Sequence, residues 1–184
     1  LVEGIHFTNI STNELTIGEM KDGNAIIIHE DSRLATISNN EFSDCYRSEQ
    51  NSFIISCYGP MKLDSNIFTF SENKGCGCVL VSYTGTETID IQIRNNQFLN
   101  VDNSGRPNSN ANSALYVHQT HSNTIIENNT FDQCDNINSP ACFYLYMYHA
   151  EDLEFNENHI QNNQPTSSYI GEVNIHNFDS DSTF

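Results

Sequence analysis

Short runs of alternating apolar and polar residues recur along the chain, and each run ends on the same phrase. Asn-x-aromatic appears as Asn40-Glu41-Phe42, Asn66-Ile67-Phe68, Asn96-Gln97-Phe98 and Asn129-Thr130-Phe131, and Ile replaces the ring in Asn158-His159-Ile160. Successive copies are separated by 26, 30, 33 and 29 residues, and a degenerate earlier copy lies near Ile5-His6-Phe7. The stretches leading into the phrase alternate with period two, as in Leu34-Ala35-Thr36-Ile37-Ser38-Asn39 and Ile89-Asp90-Ile91-Gln92-Ile93-Arg94, so they read as strands.

A second phrase sits between the copies. It runs Gly23-Asn24-Ala25-Ile26-Ile27-Ile28, Asn51-Ser52-Phe53-Ile54-Ile55-Ser56, Gly77-Cys78-Val79-Leu80-Val81-Ser82, Asn112-Ser113-Ala114-Leu115-Tyr116-Val117, Ala141-Cys142-Phe143-Tyr144-Leu145 and Gly171-Glu172-Val173-Asn174-Ile175. Each is a β-branched or aromatic run led by small or polar residues, again a strand. A unit of two or more such strands cannot bury its own apolar face, whereas stacked units pair like strand with like at roughly 4.8 Å. The sequence therefore predicts an all-β, right-handed, single-stranded parallel β-helix of about six coils spanning residues 1–184 as one segment.

Alternation places Ile26, Ile28, Ile54, Leu80, Leu115, Val117, Phe143, Leu145, Val173 and Ile175 inside. Phe42, Phe68, Phe98, Phe131 and Ile160 form a second interior stack. Asn40, Asn66, Asn96, Asn129 and Asn158 form a ladder at the bend, amide bonded to amide. Polar insertions such as Val101-Asp102-Asn103-Ser104-Gly105-Arg106-Pro107 lengthen loops without disturbing strands.

The combined pattern Gly/Asn-x-Ala-Ile-x-Ile, then x-Ile-x-Asn-Asn-x-Phe, resembles the pectate-lyase-like right-handed β-helix superfamily. More narrowly it is similar to the repeats of polymorphic outer-membrane-protein-type surface proteins. Where that narrower family shows Gly-Gly-Ala-Ile, this chain has Gly-Asn, Asn-Ser or Gly-Cys. The resemblance implies the fold and an extracellular or cell-surface setting. Its enzymatic members cleave polysaccharides, its surface members bind or build.

Composition narrows the partners. Seven basic residues against 24 acidic ones give a formal charge of −17, which disfavours nucleic acid and anionic membranes. Neutral glycans, proteins and cations such as calcium stay compatible, and no cofactor is implied. No apolar run approaches a membrane span, and no signal-peptide pattern is present. The chain opens at Leu1-Val2-Glu3-Gly4 without Met, so it is expected to belong to a longer repeat protein. An open solenoid end would continue into further coils or stack on another copy. Two sequons put candidate glycosylation at Asn9 and Asn128. Cys45, Cys57, Cys76, Cys78, Cys134 and Cys142 fit no zinc spacing and are expected to be free, buried thiols, although Cys45 or Cys57 with Cys76 stays open as an inter-coil bridge.

Candidate chemistry concentrates on the outward face of the second phrase. One outward column is read as Ile27, Ile55, Val81, Tyr116 and Tyr144, and another as His29, Cys57, Tyr83, His118, Tyr146 and His176. From these, Tyr83, Tyr116, His118, Tyr144 and Tyr146 are the expected ligand-binding stripe, since tyrosines offer amphipathic surface at low entropic cost. His121 and His149 fall opposite each other on adjacent coils and are a candidate metal pair. No residues are assigned as catalytic: Asp31, Asp64 and Asp90 sit at different offsets from the Asn-x-Phe marks, and no Lys or Arg faces a carboxylate cluster. The function expected is a non-catalytic surface, adhesin-like or fibre-forming module, with a polysaccharide-cleaving lyase or hydrolase as the alternative.

Overall fold

In a computed structural model, which describes residues 1–8, 11–12, 25–47, 53–70, 77–101, 113–135, 140–148, 152–163 and 171–176, the alternating stretches become strands of three parallel sheets. The first sheet stacks Val2–Glu3, Ala35–Ser38, Met61–Asp64, Ile89–Arg94, Ser122–Glu127 and Asp152–Asn156. The second stacks His6–Thr8, Glu41–Ser43, Ile67–Thr69, Gln97–Leu99, Thr130–Asp132 and His159–Gln161. The third stacks Ile26–Ile28, Phe53–Cys57, Gly77–Tyr83, Leu115–Thr120, Phe143–Tyr148 and Gly171–His176. Every regular element among the described residues is a strand, and the chain is a parallel β-solenoid. Each sheet has six strands, the inner four paired on both sides and the outer two on one side only, so the stack rises through six levels of strands.

The first bend is made by one residue. Asn39, Ser65, Asn95, Asn128 and Glu157, each directly before a ladder asparagine, have φ between 51° and 58°, and Gly4 holds the same place at 66°. A left-handed residue turns the chain sharply, and short polar side chains tolerate it best. The turned backbone would leave the next N–H without a strand partner, and the ladder supplies one. Oδ1 of Asn66 accepts both the backbone N–H and the Nδ2 of Asn40, each at 3.0 Å. Asn96, Asn129 and Asn158 repeat the arrangement at the same distance. Each Nδ2 also donates back to a first-sheet carbonyl of the preceding level, Ile37, Leu63, Ile93 or Ile126. The asparagine ladder thus exists as the repeat predicts.

Two residues further on, the rings stack inside. Phe7, Phe42, Phe68, Phe98 and Phe131 are nearly parallel, with centroids 4.7–5.1 Å apart. Ile160 pairs in register with Phe131 but is 40% exposed, because no further second-sheet strand among the described residues covers it. The expected interior stack therefore ends at Phe131 and gains Phe7 at the other end.

Alternation in the third sheet departs from expectation. Leu115, Val117, Phe143, Leu145, Ile28 and Ile54 face the core as expected. Ile55, Cys57, Val81 and Tyr83, expected outside, are buried in the core, and Leu80, expected inside, is half-exposed on the outer face. Ile26 is half-buried against the core. The side chains of Val173 and Ile175 lie outside the described residues. The cause lies at the start of these strands, where two consecutive residues are fully buried, Ile54 with Ile55, Cys78 with Val79 and Ala114 with Leu115. Period two restarts one residue later than a count from the leading Gly or Asn assumes.

Candidate functional site

Register in the third sheet lines up Ile27, Ser56, Leu80, Tyr116 and Tyr144 in one outward column. The next outward column holds Ser82, His118 and Tyr146. The stripe therefore survives at Tyr116, His118, Tyr144 and Tyr146 and loses Tyr83, which turns inward and packs its ring over Gly85. It gains Tyr148, which half-emerges from the same strand as Tyr144 and Tyr146. The signal for Tyr148 was in the sequence, as the period-two series Tyr144, Tyr146, Tyr148.

Strand spacing fixes how the rings meet. Tyr116 and Tyr144 stack at 4.9 Å with 12° between planes, and His118 stacks on Tyr146 at 5.4 Å and 16°. Tyr148 closes one side edge-on, 4.8 Å from Tyr146 and 5.9 Å from His118. The Tyr146 and Tyr148 hydroxyls are 2.7 Å apart, a hydrogen bond in which either can donate. Stacking occupies ring faces with each other, so the surface offered outward consists of ring edges and hydroxyls.

Electrostatics follow from this packing. Partial burial lowers the His118 pKa, which keeps the imidazole neutral near pH 7. Burial, and then the neighbouring Tyr144, raise the Tyr116 phenol. The hydrogen bond with Tyr148 is the main cause of the upward shift at Tyr146. Tyr116, His118 and Tyr146 are therefore shifted toward their uncharged forms, on a chain whose formal charge is −17.

The other expected sites fare differently. His121 sits at a left-handed bend before the first-sheet strand Ser122–Glu127, while His149 lies outside the described residues. Among the described residues no three His, Cys, Asp or Glu side chains converge as a metal site. Asn128 is an exposed bend residue whose Nδ2 donates to Asn95 Oδ1 at 2.7 Å, and Asn9 lies outside the described residues. His29 is exposed beyond the end of its strand, and nothing is described of the His176 side chain. Asp64 accepts from Asn95 Nδ2 at 2.7 Å beside Lys62, and Asp90 accepts from Asn123 Nδ2 at 3.0 Å. These two carboxylates are spoken for by the outer polar ladders of the first sheet. Cys45, Cys57, Cys78, Cys134 and Cys142 are buried, and Cys76 lies outside the described residues. Among the described residues no helix is long and apolar enough to cross a membrane.

No family model, curated protein or solved structure matches this chain.

Proposed function

We propose that this solenoid is a non-catalytic surface module, displayed outside the cell, that binds a neutral glycan along the third sheet. One observation carries the reading: Tyr116, His118, Tyr144, Tyr146 and Tyr148 gather on one outward face, while the outward positions of the first sheet are mostly polar or charged, such as Lys62, Asp64, Asp90, Arg94 and Glu127, with Ile125 the apolar exception. Stacked rings with centroids 4.9–5.4 Å apart present tyrosine hydroxyls and the His118 imidazole as donors and acceptors to a chain of sugar hydroxyls. The acidic balance disfavours anionic glycans and leaves neutral ones. A fibre-forming role through end-to-end stacking of solenoids belongs to the same proposal.

The test is retention of the full chain on a panel of immobilised polysaccharides, with new reducing and unsaturated ends followed in parallel. Retention on a neutral glycan, abolished in Tyr144→Ser/Tyr146→Ser while circular dichroism stays unchanged, supports the reading. Release of unsaturated or reducing ends would replace it with the lyase or hydrolase alternative. No retention, with a protein partner captured through the same tyrosines, would reassign the surface to protein binding. Sedimentation over a range of concentrations checks stacking: a monodisperse monomer at high concentration counts against it.

A further inference from the structure

The corner between the second and third sheets has two buried places at the second, fourth and fifth levels. One is three residues after the stacked Phe, occupied by Cys45, Val101 and Cys134. The other directly precedes the inward residue that opens the third-sheet strand, and register aligns Ile54, Cys78, Ala114 and Cys142 there. All of these side chains are fully buried. Cys45 thus shares its corner with Ile54, and Val101 shares its corner with Ala114. Cys134 shares its corner with Cys142.

The two ends of the short connection between Cys134 and Cys142 are fixed by the neighbouring levels. Backbone N–H of Cys134 donates to Asn163 Oδ1 at 2.6 Å, and the carbonyl of Cys142 accepts from Leu115 N–H at 2.9 Å. The Cys134 thiol lies 3.6 Å from the Phe98 carbonyl. Burial raises its pKa well above the ordinary range, and the neighbouring Cys142 and Cys78 thiols both act to raise it further, so in the closed corner it is protonated and a poor nucleophile.

We infer that Cys134 and Cys142 are a disulfide site, bridged when the chain folds in the presence of a low-molecular-weight disulfide. One thiolate attacks the small disulfide and expels a thiol, and the second thiolate attacks the mixed disulfide and expels another. The protein loses two protons and two electrons, one S–S bond forms, and the small disulfide is reduced to two thiols. Because both sulfurs are inaccessible once the corner closes, the exchange belongs to folding, and the native reduced protein resists the same reagent. The bridge fastens the connection to the strand Phe143–Tyr148, which carries Tyr144, Tyr146 and Tyr148.

The experiment refolds the full, reduced chain in a glutathione redox buffer, alkylates remaining thiols and measures intact mass. An endoprotease cutting before Asp135 then separates the two cysteines unless they are bridged. The expected result is a loss of two hydrogens and a Cys134 peptide that stays joined to the Cys142 peptide until reduction. Cys134→Val and Cys142→Ala copy the side chains of the neighbouring level, Val101 and Ala114, and each should refold with no bridge. Complete alkylation of every thiol after refolding overturns the proposal. So does a bridge that maps to Cys76, or one that persists in the double variant.

Discussion

Replacing Asn96 by Asp changes one NH2 to an oxygen and tests the ladder at its most enclosed rung. Asn96 is fully buried. Its Oδ1 accepts from Asn66 N–H and Nδ2, and its Nδ2 donates to Leu63 O and Asn129 Oδ1, all at 3.0 Å. A protonated aspartic acid keeps the acceptor and supplies one O–H for those two acceptors, so one buried bond is lost. That costs about 1–3 kcal/mol at any pH. An ionised aspartate has no donor left and sets a charge against two oxygens, so its folded pKa lies above the unfolded value of about 3.9. For an acid whose folded pKa is raised, the folded form binds the proton more tightly. Stability is therefore greatest below pH ~4 and falls by about 1.4 kcal/mol per pH unit up to the folded pKa. Between pH 4 and pH 7 the loss relative to the parent grows by up to about 4 kcal/mol. Urea unfolding followed by far-UV circular dichroism at several pH values measures this difference. Asn96→Ala, with no titrating group, is the control and should differ from the parent by a pH-independent amount. A pH-independent difference for Asn96→Asp would refute the buried, doubly donating amide.

Three further outcomes follow from the same geometry. Phe98→Ala removes a fully buried ring between Phe68 and Phe131 and should cost about 3–5 kcal/mol in urea unfolding, against about 1 kcal/mol or less for Ile160→Ala at the exposed end of the stack. Gly77→Ala places a methyl 2.2 Å from the Phe53 ring, so that ring must move; a loss of roughly 1–3 kcal/mol is expected, recovered largely in Gly77→Ala/Phe53→Leu. Burial pushes the Cys57 thiol from 9.0 up to about 12, only partly opposed by hydrogen bonding with the Gly59 backbone. Cys57 should therefore escape alkylation at pH 8 in the native protein and react once the chain is unfolded. Because the unfolded thiol ionises first, the Cys57 contribution to stability is complete below pH 9 and declines as pH rises toward about 12, which Cys57→Ala should flatten.

The Asn-x-Phe rung was legible from sequence because its parts are local. A left-handed residue, an amide and a ring sit at fixed offsets within one bend, and stacking brings each onto its own copy, so spacing alone identified Asn40, Asn66, Asn96 and Asn129 with their rings. The solenoid itself followed from the same repetition, since no single unit could bury its apolar face. The third sheet was only half legible. In Leu115-Tyr116-Val117-His118 and Phe143-Tyr144-Leu145-Tyr146 the polar tips mark the outward phase, and those positions were read correctly. In Phe53-Ile54-Ile55-Ser56-Cys57 and Val79-Leu80-Val81-Ser82-Tyr83 most members are apolar and either phase satisfies hydrophobicity, so Ile55, Val81, Cys57 and Tyr83 were turned the wrong way. The doubled buried pair at the start of the strand settles that phase. The sequence by itself determined the repeat, the ladder and the tyrosines. Only the tertiary structure decided which side of the third sheet faces out and how those rings stack face to face, because both depend on register between residues far apart in the chain.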